Sequence, residues 1–180
     1  MVQRTGEREA GLAECFLLGV RHAPHGTRYG RGMATPRSWQ RKVAERHLLS
    51  IARLNGLKIR WLSGRHWHTE AEAQGTAQRV LIPKPNNQLQ YLVALHEFGH
   101  LLGPFPIVAR PGLPLVNATD IGASPGQYAL LMEAAAWGWA IEHIANELEF
   151  CFTPKHIEKA AGEPLAAYVW GVYTAHDDEG

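Results

Sequence analysis

Residues 95–103 read Leu-His-Glu-Phe-Gly-His-Leu-Leu-Gly, and this H-E-x-x-H stretch constrains the chain more than any other feature of it. Its surroundings have helical character. Asn87 and Gln90 stand in capping-box spacing, Leu92, Leu95, Phe98 and Leu102 follow at three- and four-residue steps, and Gly103-Pro104 is a stop signal. Residues four apart on a helix are offset by about 40°, so the imidazoles of His96 and His100 project the same way and can share one tetrahedral zinc ion. Glu97 lies about 100° round from His96, a poor position for a third ligand. It is well placed to take a proton from water at the open metal position. Composition alone yields such a motif about 0.04 times in a chain of this length, which argues against coincidence. Gly99 sits mid-helix at a cost of about 1 kcal/mol relative to Ala, which points to a steric demand for a small residue.

Two histidines do not complete a site, so a third protein ligand is expected elsewhere. Ser124-Pro125 opens a strong helical pattern running to about Leu148. On it Glu133 shares a side with Leu130, Trp137, Ala140, Ile141 and Ile144, whereas Glu142, Asn146 and Glu149 lie roughly opposite. A carboxylate in an apolar stripe is costly unless paired, and coordination of a dication removes that cost. A buried salt bridge would do the same. Asp120, in the loop between the two helices, is the alternative third ligand.

The remaining segments frame these two helices. A helix is expected over residues 38–54, stopped by Asn55-Gly56. Residues 57–62 and 78–82 read as short strands that pair around a loop carrying His66, Trp67 and His68. The proline-rich stretch 104–126 has no periodicity, and a long structureless loop in a compact domain is usually functional. Thr153-Pro154 opens a short helix, and a last one includes Leu165, Tyr168, Val169 and Trp170. Residues 1–34, rich in Arg and Gly, read as a flexible arm with no export signal, and residues 35–180 as one domain. The expected fold class is α+β: a small β-hairpin or sheet packed with the motif helix and a second ligand-bearing helix.

LHEFGHLLG, followed by Glu133-Ala134-Ala135-Ala136-Trp137-Gly138-Trp139-Ala140, resembles the ImmA/IrrE-type zinc metallopeptidases, and more broadly the gluzincin arrangement. The resemblance covers about residues 38–148. It implies a zincin-like fold, Zn2+ held by His96, His100 and Glu133, Glu97 as catalytic base, and hydrolysis of a peptide bond. Family members of this kind often cut a regulatory protein of a phage or mobile element, so the implied partner is a protein or peptide substrate. An edge strand such as 78–82 is then the natural place for an extended substrate to add. The proline-rich stretch and residues 1–34 match nothing in the family pattern.

Other residues carry weaker signals. His143, Tyr128 and the pair His66 and His68 are candidates for stabilising an oxyanion, although a histidine near a helix end is more often a cap. His22 and His25 sit in the arm, where no geometry is imposed. The tryptophans read as core rather than as substrate subsites. Cys15 and Cys151 lack a histidine partner that would make either a nucleophile, and two cysteines suit a reducing, cytoplasmic compartment. The net charge of +1 recruits neither nucleic acid nor an anionic membrane, and no apolar run is long enough to span one. Two rival readings remain: a catalytically idle zinc-binding module that binds a partner protein, and a mobile-element regulator whose basic arm contacts DNA. Oligomeric state is left open.

Overall fold

The computed structural model of the chain describes residues 38–64, 71–109 and 115–167. The chain divides between Thr35 and Pro36, and every described residue belongs to the second unit. The expected arm with Cys15, His22 and His25 lies outside the described residues, as do His66, Trp67, His68 and residues 168–180. Among the described residues, no helix is long and apolar enough to cross a membrane.

The architecture is mixed α+β. Helix α1 (Arg41–Leu54) precedes strand β1 (Lys58–Leu62), and strands β2 (Glu72–Gln74) and β3 (Arg79–Pro83) follow. Helix α2 (Gln88–Leu102) carries the motif, and α3 (Pro125–Glu142) carries Glu133. Short 3-10 turns span Ala118–Ile121 and Asn146–Cys151, and the four-residue α4 (Pro154–Ile157) runs into a π-helical turn at Glu158–Gly162.

Helix α2 begins where its sequence says it should: the Asn87 side chain accepts the Gln90 amide at 2.9 Å. Gln90 returns its bond to the Asn86 amide rather than to Asn87, so the box is one residue wider than its spacing suggests. Ser124 and Gln127 form the full reciprocal box at the start of α3, with Pro125 in the first helical position. That helix ends at Glu142, short of the expected Leu148. The apolar residues continue past it, and Leu148 is fully buried, but from the 3-10 turn.

The sheet has the order β1-β3-β2. Strands 57–62 and 78–82 do pair, with Ile59 opposite Val80 and Trp61 opposite Ile82, yet they run parallel and so form no hairpin with each other. The hairpin is β2–β3, closed by a turn in which Gln78 takes a positive φ of 48°. This corrects the expectation that 78–82 is an edge: β3 is central, and β1 and β2 are the edges among the described residues. Burial fits, because Val80 and Ile82 of β3 are inaccessible to solvent.

Helix α2 is central among the described residues, buried on nearly every side by β3 and β2, by α1, and by α3. Its Tyr91, Leu92, Leu95, Phe98 and Leu101 join Leu48 of α1, Val80 and Ile82 of β3, and Trp137 and Ala140 of α3 in one apolar cluster. A polar residue on such a helix needs a specific partner. Among the described residues, the buried polar or charged ones are His96 and Glu97.

Candidate metal centre

Packing of α3 against α2 sets the geometry. Gly99 faces Ala136 so closely that a β-carbon on it would lie 2.5 Å from the Ala136 carbonyl oxygen. This is the neighbour that requires a glycine within the motif, and it brings Glu133, three residues before Ala136, over His96 and His100.

The three side chains converge. His96 Nε2 lies 3.2 Å from Glu133 Oε2, His100 Nε2 lies 3.3 Å from Glu133 Oε1, and the two Nε2 atoms are 3.1 Å apart. Among the described residues, this is the group of His, Cys, Asp or Glu side chains whose ligand atoms come together closely enough to hold a metal ion. Ligand atoms in a tetrahedron with bonds of about 2.0–2.1 Å are separated by roughly 3.3 Å. The two Nε2 atoms match that separation, each Glu133 oxygen lies at it from one of them, and one ligand atom from each residue lies within 4.8 Å of the others, so the three residues can hold a small divalent cation.

Charge is distributed to suit such an ion. Burial opposes ionisation of Glu133, but hydrogen bonds and charge from His100 and His96 outweigh it and hold the carboxyl at about 2. Burial lowers the His96 pKa. Burial also works against a charge on His100, yet the Glu133 and Glu97 carboxylates prevail and raise its pKa. Without a metal the cluster thus keeps Glu133 ionised, disfavours a proton on His96 and favours one on His100.

Glu97 is buried beside the triad, and burial pushes its carboxyl up to about 7, with His100 acting in the opposite direction. The Ala73 backbone of β2 also hydrogen-bonds to it. That link was not foreseeable: three residues, Glu72-Ala73-Gln74, carry no readable strand pattern. Equally unforeseen is the stacking of His96 on Trp137, with ring centroids 4.1 Å apart and planes inclined by 22°.

The other candidates fall elsewhere. Asp120 is exposed, and its Oδ2 caps the 3-10 turn by accepting the Asn117 amide at 2.8 Å. His143 caps α3, its Nδ1 2.8 Å from the Trp139 carbonyl and its ring stacked on Trp139. Tyr128 donates its hydroxyl to the Val116 carbonyl, tying the proline-rich loop to α3. Cys151 is buried in the core near the Ser38 carbonyl. No protein-family model, curated protein or solved structure matches the chain.

Proposed function

We propose that the chain is a zinc-dependent metallopeptidase of the gluzincin kind, similar to the ImmA/IrrE enzymes, with His96, His100 and Glu133 as ligands and Glu97 as base. The observation that carries this reading is the meeting of three ligand side chains from two helices, one ligand atom of each within 4.8 Å of the others, with a buried carboxyl group beside them. Two imidazoles and a carboxylate are a donor set that suits zinc. When bound there, zinc would polarise a scissile carbonyl and make an attacking water more acidic.

The chain's own groups supply the rest. The Glu97 carboxylate accepts the proton of the attacking water and delivers it to the leaving amine, a task that needs a carboxylate held beside the open metal position. Strand β2 is an edge, its Ala73 reaches Glu97, and residues 72–77 line an open cleft with Ile107 and Val108. An extended peptide added to that edge would lie next to the base.

The test is cleavage by the zinc-loaded chain of a mixture of quenched fluorescent peptides. Glu97→Gln should keep zinc and lose turnover by about 10²–10⁴-fold. No turnover by either protein would favour a zinc module that binds a partner without chemistry, and equal turnover by both would contradict Glu97 as the base.

A further inference from the structure

Zinc-ligating histidines are commonly oriented by a hydrogen bond from the ring nitrogen that does not face the metal. Neither ligand histidine has one here. His96 Nδ1 and His100 Nδ1 are buried and have no hydrogen-bond partner among the described residues. The last side-chain torsion of histidine is broad, so an imidazole with no such bond has nothing of its own to fix the ring plane. Packing must do so, and for His96 the packing partner is an aromatic ring.

We propose that Trp137 is a positioning residue of the metal centre, holding the His96 imidazole by ring stacking in place of a hydrogen bond; this rests on the reading of His96, His100 and Glu133 as a metal site. The stack is near-parallel, at 4.1 Å and 22°, and both residues are over nine-tenths buried. Trp137 stands one helical turn after Glu133, so ligand and ring leave α3 on the same side. Between them Ala136 makes the contact with Gly99 that locks α3 onto α2. One rigid turn therefore supplies the carboxylate, the helix contact and the ring. The order extends one step further, because His100 meets the His96 ring edge-on, with centroids 4.5 Å apart and planes at 75°. A tilt of His96 would move both nitrogen ligands.

The indole nitrogen shows which part of Trp137 matters. Nε1 is buried and has no partner among the described residues, so the residue contributes its ring face and not its donor. A phenylalanine preserves a face and removes an orphaned donor; a leucine or methionine fills space without a face.

Zinc affinity, measured by competition with a chromophoric chelator, and the absorption spectrum of the cobalt(II)-substituted chain test this together. Trp137→Leu and Trp137→Met should bind zinc about ten-fold or more weakly and shift the cobalt bands. Trp137→Phe should restore both. Metal-free unfolding measured in parallel separates positioning from folding, since a filler of the core would change stability and leave the cobalt spectrum of the folded chain intact. Wild-type affinity and spectrum in Trp137→Met, or a Trp137→Phe chain as impaired as Trp137→Leu, would overturn the proposal. Should Trp137→Leu fail to fold, the Met and Phe variants decide. A wild-type chain that takes up neither zinc nor cobalt would overturn the metal-centre reading itself, a result distinct from the failure of Trp137 alone.

Discussion

The α-carbon of Gly99 faces the backbone of Ala136 with no room for a methyl group: an added β-carbon would lie 2.5 Å from the Ala136 oxygen and 2.8 Å from its α-carbon. Both obstacles are backbone, so neither can rotate away, and the helices must separate. Gly99→Ala should therefore lower stability by about 1–3 kcal/mol, the range for overpacking, and reduce metal uptake because Glu133 moves with α3. Gly138→Ala is the matched control. It lies on the exposed side of α3 with nothing near, and should raise stability by about 0.5–1 kcal/mol and leave metal uptake unchanged. Thermal unfolding and metal content of the two variants check the pair.

Tyr91 anchors the opposite end of α2. Its hydroxyl accepts the Ala145 amide at 3.1 Å and lies 2.7 Å from His47 Nδ1. Burial pushes the phenol well above its ordinary pKa and pushes His47 below its own, so the contact favours the uncharged form of each group. Tyr91→Phe leaves the buried Ala145 amide without its acceptor, at a cost of about 1–3 kcal/mol. The denaturant midpoint should fall with an unchanged slope, and metal content should stay at the wild-type value.

In the metal-free chain Glu97 should contribute a loss of stability as pH rises from 4.5 toward 7. The folded-state pKa of Glu97 is raised from 4.5 to about 7, so the fold favours its protonated form. That contribution is complete below 4.5 and is lost as pH rises through 7, amounting to about 3 kcal/mol. His100, whose pKa is raised above 6.5, adds a loss beginning higher. Glu133, depressed from 4.5 to about 2, acts with the opposite sign: its contribution is present above 4.5 and is lost as pH falls through 2. His96 and His47, whose pKa values burial lowers, act against the loss on rising pH, because the fold disfavours their protonated forms and gains stability as pH rises toward 6.5. The Glu97 share is therefore the difference between two proteins: Glu97→Gln should gain stability relative to wild type as pH rises from 4.5 through 7. A Gln variant with the same pH profile as wild type would refute the assignment.

These relationships differ in how far the sequence reveals them. The start of α2 and of α3 was legible from Asn87 and Ser124-Pro125, since a cap is a local bond between near neighbours. The side of α3 that carries Glu133 followed from period alone, and the steric demand at Gly99 from its position in a helix. The parallel pairing of β1 with β3 was not legible. Direction depends on β2 intervening, and Glu72-Ala73-Gln74 is too short to alternate. The end of α3 at Glu142 escaped for another reason: Ile144 and Leu148 keep facing the core after the backbone has left the α-helix, so apolar spacing overruns the true boundary. Period placed Trp137 beside Glu133 but carried no information about a ring stacked on His96.

Zinc per chain, measured by elemental analysis on wild type and Glu133→Ala purified without a metal-chelating tag, tests the central claim most directly. The account predicts one zinc in the wild type and a clear loss in the variant, because two imidazoles from a single helix leave the tetrahedron one protein ligand short. Full zinc in both proteins would contradict Glu133 as ligand, and no zinc in the wild type after metal is supplied would contradict the site altogether.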